Sequence, residues 1–176
     1  MQNNMLTHLH VRKSPTSHTQ GLLIADGRVL RCALGRSGIG IKRGEGDGIT
    51  PLGSHRLVEA YIRVDRVPFR ASHFPLSTIE ENDGWCDAEG DANYNCHVEL
   101  PYPASHERMM RDDHLYDVVV VMDHNVTRRM TIGGSAIFFH LAHDDYRPTE
   151  GCVAISRKDM LWLLPQIGPD TVMVVE

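Results

Sequence analysis

The sequence has few aromatic residues, no excess of positive charge and no long apolar run. Aromatic residues make up only 6% of the chain, which argues against a stacking surface for single-stranded nucleic acid. The formal net charge of −5 has the wrong sign for a protein that binds a phosphate backbone. The longest apolar run, Val118 to Met122, is far too short to span a bilayer. We therefore expect neither a nucleic-acid partner nor a membrane span.

Signals for export and for a structural metal are also missing. Met1 to Val11 has no basic start and no continuous apolar stretch, so no secretory signal is visible. Either the chain is cytoplasmic, or a signal has been removed, or export uses another route. The four cysteines, Cys32, Cys86, Cys96 and Cys152, include no C-x-x-C pair, which gives a structural zinc site weak support. Cys86 and Cys96 form a disulfide or stay reduced, depending on the compartment.

What the chain does contain is enough apolar sequence for one core. Hydrophobic residues are 41% and charged residues 23% of 176 residues, which is the composition of a globular protein. A chain of this length can bury roughly 70% of its unfolded surface, so it needs no disulfide or metal to fold. We expect a single domain over residues 1–176.

Strand patterns dominate the first third of the chain. Leu6–Arg12 alternates apolar and polar residues. Gly21–Ala25 and Arg28–Leu34 flank an Asp-Gly pair, which predicts a hairpin with a type I′ turn. Gly35–Gly53 is rich in glycine and is predicted to be loop, and a strand is predicted over His55–Ile62.

The rest of the chain is read as strands, one clear helix and a long excursion. Further strands are predicted over Asp117–His124, Ser135–Ala142 and Thr171–Val175. Ser156–Leu164 is the clearest helix, because Ser156 can cap it and a proline follows it. The fold class is therefore mainly β.

The excursion runs from Arg66 to Pro103 and has little periodicity. Segments of that length inside a compact domain are uncommon and often functional. Ser105–Asp112, directly after it, is predicted to be a short helix.

One segment combines a base, a nucleophile and a flexible turn. A predicted strand ends near His140, a polar loop follows, and Gly151-Cys152 stands shortly before the helix. Cysteine is a strong nucleophile once ionised, and a nearby imidazole can lower its pKa. A glycine before it lets backbone N–H groups face a developing oxyanion. From spacing alone a structural, buried cysteine is the commoner outcome.

A metal site is the competing interpretation of the same histidines. His140 and His143, with His124 and Asp144, would supply the ligands. The sequence has no H-E-x-x-H pattern and no helix is indicated there, so this alternative is the weaker one.

The motifs of this segment resemble those of a known family. Phe139-His140 followed by Thr149-Glu150-Gly151-Cys152-Val153 looks like the signature of the L,D-transpeptidase catalytic domain, also called YkuD. Upstream, Gly48 to Gly53 resembles the family's Thr-Pro-x-Gly turn, and the likeness extends from about Leu22 to Val175. It implies YkuD-type β-sandwich or barrel-like sheets with one or two short helices.

The resemblance also implies roles and partners. Cys152 corresponds to the nucleophile, His140 to its base, and the N–H groups of Gly151 and Cys152 to the oxyanion hole. The thiolate would attack a stem-peptide carbonyl of peptidoglycan, and an amine of a second stem peptide would resolve the thioester as a 3,3 or a 1,3 cross-link. No cofactor is expected, the cell envelope or periplasm is the implied location, and we expect a monomer.

The chain departs from the family pattern at several residues. Glu150 replaces the second histidine of the motif, and Ala154 stands where arginine or asparagine is frequent. These changes bear on the identity of the acceptor more than on the nucleophile. The candidate substrate-binding residues are Arg147, Thr149, Glu150, His143, His124 and Trp85, of which Trp85 either forms a cleft wall or anchors the long loop.

Two other functions stay open at this point. A hydrolase, either an L,D-carboxypeptidase or an amidase, would use the same thioester with water as the acceptor. A non-enzymatic wall-binding module would leave Cys152 without a chemical role.

Overall fold

The computed structural model of the protein describes residues 5–68 and 73–176. Strands account for most of its regular structure, and there is one short α-helix. The strands of the main sheet are β1 (His8–Ser14), β2 (Ser17–Ala25), β3 (Arg28–Ala33), β6 (Gly53–Ile62), β7 (Leu76–Thr78), β11 (Val118–Met122), β12 (Phe138–Leu141), β13 (Val153–Ile155) and β14 (Val172–Val175). The strands of two smaller sheets are β4 (Ile39–Gly40), β5 (Thr50–Pro51), β8 (Asp83–Cys86), β9 (His97–Glu99) and β10 (His106–Arg108). The helix, α1, spans Arg157–Leu163.

The main sheet closes on itself. Its strands follow the order β11-β12-β13-β3-β2-β1-β14-β6-β7, and β6 also pairs with β11. Closure pairs the edges of the sheet and removes the unpaired backbone groups that an open edge exposes. The mainly β, barrel-like class predicted from the sequence is thereby confirmed.

The hairpin and the helix form where local sequence signals are strongest. Asp26 and Gly27 both have positive φ, 47° and 72°, as a type I′ turn requires. The Ser156 side chain accepts a hydrogen bond from the N–H of Asp159 at the start of α1, which satisfies one of the free donors of the first turn. A short 3₁₀ turn containing Pro165 then follows α1.

Strand β12 is buried on both faces, and each face meets a different core. Phe139 and Leu141 point into the barrel core, whereas Phe138 packs with a second cluster that includes Trp85 and Tyr116. Alternate residues of a strand face opposite sides. His140 therefore lies on the face of Phe138, outside the barrel core.

The second cluster is covered by an outer lobe. Its small sheet has the strand order β10-β8-β9 and is built from the predicted excursion and the segment after it. Of that excursion, residues 69–72 lie outside the described part of the chain. The helix predicted over Ser105–Asp112 is wrong, because His106–Arg108 forms β10 and pairs with β8. Cross-strand pairing outweighs a weak local helical preference here.

No helix within residues 5–68 and 73–176 is long and apolar enough to cross a membrane.

Candidate functional site

The base candidate lies on β12, and the nucleophile candidate directly precedes the neighbouring parallel strand β13. In the β12–β13 ladder, Phe139 pairs with Val153 and His140 pairs with Ala154. Cys152 comes two residues before Ala154, so it lies on the same face of the sheet as His140. Both side chains also line one cavity. The structure thus brings together the two residues that the sequence singles out.

The histidine is held in one orientation by the backbone. His140 Nδ1 lies 2.8 Å from the carbonyl oxygen of Leu141. Because a carbonyl only accepts, Nδ1 carries the proton in the neutral ring, and Nε2 keeps its lone pair. The Tyr116 ring contacts the imidazole edge-on, with centroids 5.3 Å apart. The ring is thus fixed in the tautomer whose free nitrogen can accept a proton.

The thiol is buried but not sealed. Cys152 is 7% exposed and borders the cavity. Its Sγ donates to the carbonyl of Ala136 at 3.3 Å and accepts from the N–H of Phe138 at 3.4 Å. These two contacts orient the sulfur at the cavity wall.

The electrostatics of this site favour a neutral pair. Desolvation, followed by repulsion from Glu107, raises the pKa of the Cys152 thiol to about 12. Desolvation lowers the pKa of His140 to about 4. The ion pair expected from the sequence is therefore not the form that this structure stabilises. Burial disfavours both charges because the interior cannot solvate them.

The turn before Cys152 is packed too tightly for any residue but glycine. Gly151 has φ +135°, and a Cβ there would lie 2.8 Å from the carbonyl oxygen of Ile49. The N–H of Gly151 donates to the Thr149 hydroxyl at 3.2 Å, and that hydroxyl donates to the Cys152 carbonyl at 2.7 Å. The amide predicted for the oxyanion hole is thus already engaged in this structure, since the turn satisfies its own backbone donors.

The glycine-rich segment holds the turn before Cys152 in place. The N–H of Arg36 donates to the Thr149 carbonyl, and the N–H of Thr149 donates to the Leu34 carbonyl, both at 2.9 Å. The Arg36 guanidinium also pairs with Glu150 at 3.0 Å. Glu150, which replaces the motif histidine, therefore fastens two loops together at the cavity mouth.

The cavity has a volume of about 530 Å³. It lies between the barrel, the glycine-rich segment and the outer lobe. Six residues singled out from the sequence line it, namely Cys152, His140, His143, Arg147, Thr149 and Glu150.

Two predicted substrate-binding residues lie away from this cavity. The His124 ring bonds the Gly133 carbonyl at 2.7 Å and contacts His55 edge-on. Trp85 is 2% exposed and its indole N–H donates to Asn95 at 3.0 Å. Trp85 is thus an anchor of the outer lobe and not a cleft wall, because its polar atom is used inside the lobe.

The metal alternative receives no geometric support. Within the described ranges, no three His, Cys, Asp or Glu side chains are grouped so that they could hold a metal ion. His124 in particular is directed to the loop that ends at Gly133.

Cys86 and Cys96 are both free thiols in this structure. Cys86 ends β8 and Cys96 directly precedes β9, and the N–H of Cys86 donates to the Cys96 carbonyl at 2.9 Å. The structure thus has the reduced alternative at this pair.

Sequence reasoning missed the cavity residues that come from distant segments. They are Lys42, Glu45, Asp87, Ser105, Glu107, Arg111, Tyr116 and Ser135. The Tyr116 hydroxyl donates to Glu107 at 2.7 Å. Three of them, Ser105, Glu107 and Arg111, lie in the Ser105–Asp112 segment, for which the sequence predicts a helix.

The fold and the site together define a class of protein. It is a barrel-like β domain in which a buried cysteine and a histidine line one cavity. A family model of the L,D-transpeptidase catalytic domain, YkuD, matches residues 9–175. The chain therefore belongs to that family. The resemblance seen in the sequence is confirmed.

Among solved structures, the chain is similar to the crystal structure of L,D-transpeptidase 1 of Mycobacterium tuberculosis. The two share 14% sequence identity, and the match covers 96% of this chain and 61% of the other, with a TM-score of 0.40. This chain therefore matches about three fifths of that structure. No curated protein matches the chain.

Proposed function

We propose that this single domain is a cysteine-dependent L,D-transpeptidase that transfers the acyl part of one stem peptide to an amine of another. The observation that carries the proposal is the placement of Cys152 and His140 on one face of adjacent parallel strands, at the wall of one cavity. The product is a 3,3 or a 1,3 cross-link, made in the cell envelope.

The reaction starts from the neutral pair. As the sulfur attacks the donor carbonyl, the thiol proton leaves its contact with the Ala136 carbonyl and passes to Nε2 of His140, so that no free thiolate is needed beforehand. The C–S bond forms, the imidazolium gives the proton to the departing nitrogen, and the C–N bond breaks. A thioester remains on Cys152. An amine then attacks the thioester carbon and regenerates the thiol.

The test is analysis of muropeptides treated with wild-type protein and with Cys152→Ala. We expect cross-linked dimers from the wild type and none from the variant, and a covalent carbapenem adduct on the wild type alone by mass spectrometry. Trimmed monomers without dimers would assign the chain to the hydrolases instead. Equal behaviour of both proteins would reduce Cys152 to a structural residue.

A further inference from the structure

All three cations of the cavity are already neutralised by nearby carboxylates. Each makes an ion pair with an aspartate that lies outside the cavity wall. These pairs are Lys42–Asp47 at 2.7 Å, Arg111–Asp113 at 2.6 Å and Arg147–Asp145 at 3.2 Å. The cavity therefore offers little unpaired positive charge to a ligand.

Three of the four carboxylates of the cavity are in the opposite situation, whereas the fourth, Glu150, pairs with Arg36. Glu45, Asp87 and Glu107 line it, and within residues 5–68 and 73–176 none of them forms an ion pair. Glu45 and Glu107 accept only from tyrosine hydroxyls, those of Tyr94 and Tyr116. Arg111 lies near Glu107 but is committed to Asp113. One side of the cavity is thus negative without a matching cation.

Two buried polar atoms in this region have no hydrogen-bond partner among the described residues. They are Asp87 Oδ1 and Ser135 Oγ, and both residues line the cavity. Ser135 is only 5% exposed, and the next residue, Ala136, accepts the hydrogen bond of the nucleophile. An unpaired buried acceptor costs free energy unless a ligand satisfies it.

The negative side is close to the reacting sulfur. Glu107 is the charged group that raises the pKa of Cys152 most strongly. Burial raises the pKa of Glu107 itself, and the negative charges of Asp87 and Glu45 raise it further. The described residues contain no group of three His, Cys, Asp or Glu side chains that could hold a metal ion. An organic cation with several N–H donors can instead bind separate acceptors along the cavity wall.

We propose that Asp87 and Glu107, with Glu45 and Ser135 beside them, form a subsite for the ammonium group of the acceptor, and that Glu107 takes a proton from it. The inference rests on the proposed transpeptidase function and adds the group that recognises the second substrate. A carboxylate facing an ammonium forms a charge-assisted hydrogen bond, stronger than one between neutral groups.

The proton balance closes over the second half of the reaction. The ammonium gives one proton to Glu107, and the resulting amine attacks the thioester carbon. A C–N bond forms as the C–S bond breaks, and a second proton passes from nitrogen through His140 to the sulfur. Glu107 then releases its proton to solvent. Its raised pKa makes it the better proton acceptor for this step.

The test separates acylation from aminolysis in Glu107→Gln and Asp87→Asn. The control is Glu81→Gln, an exposed glutamate of the same lobe. Acylation is followed with a carbapenem by mass spectrometry. Aminolysis of the thioester is measured with two acceptors, a stem peptide carrying a charged amine and hydroxylamine, which is uncharged at neutral pH.

We expect both variants to be acylated at least as fast as the wild type, because neither carboxylate is assigned a role in acylation and Glu107 disfavours ionisation of the thiol. The KM for the charged acceptor should rise about tenfold or more, while hydroxylamine and the control variant should behave like the wild type.

Equal use of the charged acceptor by variants and wild type would overturn the subsite. A parallel loss of acylation and of both acceptors would also overturn it, since that pattern indicates a structural role. A wild-type protein that is never acylated would refute the proposed function itself, so the two failures are distinguishable.

Discussion

Cys32 and Cys152 are chemically alike and differ in what lies next to them. Both are buried, and burial raises the pKa of both thiols to about 12. Cys32 packs in the barrel core, whereas Cys152 belongs to the second cluster and borders the cavity that also contains His140. Neither burial nor the pKa therefore identifies a nucleophile in this fold. What distinguishes Cys152 from Cys32 is its access to the cavity and the imidazole that lines the same cavity.

The largest expected effect is selective labelling of one thiol in the folded protein. A small neutral alkylating reagent should modify Cys152 through the cavity and leave Cys32 untouched until the chain unfolds, because the barrel core is closely packed. Peptide mapping by mass spectrometry with and without urea measures this difference. Equal labelling of both thiols under native conditions would remove the distinction between the two regions.

The next largest expected effect is the loss of acylation rate when His140 is replaced. His140→Gln keeps a polar side chain but removes the nitrogen that accepts the thiol proton, so carbapenem acylation should slow by about 10² to 10⁴-fold. Single-turnover rates measure the loss, and Cys32→Ala serves as the matched variant from the barrel core, with an expected acylation rate close to wild type. A fast His140→Gln protein would mean that another group activates the sulfur.

The smallest expected effect is on stability in acid. The pKa of His140 is about 4 in the folded chain, below its ordinary 6.5, so the unfolded chain binds the proton first as pH falls. Folding stability should then decrease between pH 6.5 and 4, by about 3 kcal/mol from this group. Urea unfolding at a series of pH values checks it, and His140→Gln should flatten the slope. Parallel curves would contradict the buried neutral imidazole.

Features with strong local signals were predictable from the sequence. The Asp-Gly turn fixes a hairpin because both residues adopt positive φ. Four consecutive valines form the buried strand β11, since a strand covered on both faces needs no polar alternation. The sequence could single out Cys152 and His140 as candidates because a strand end and a glycine turn carry them.

The acidic side of the cavity was not predictable, because it depends on contacts between distant segments. Glu107 reaches the site only when β10 pairs with β8, and Asp87 follows β8 directly in the same lobe. Hydrophobic periodicity cannot assign strands of three residues, because so short a segment fits a helical turn equally well. The neutral state of Cys152 and His140 was not predictable either, because the burial that favours it depends on the whole fold.

The hydrogen-bonded ladder between β12 and β13 positions the proposed reacting pair independently of the proposed acceptor site. His140 lies in the closed sheet and Cys152 directly precedes one of its strands, whereas the side chains proposed to bind the amine come largely from the outer lobe. Exchanging that lobe for another should therefore alter which wall polymer is modified while the attack geometry stays the same, so that chimeric proteins with new acceptor preferences become a practical engineering target.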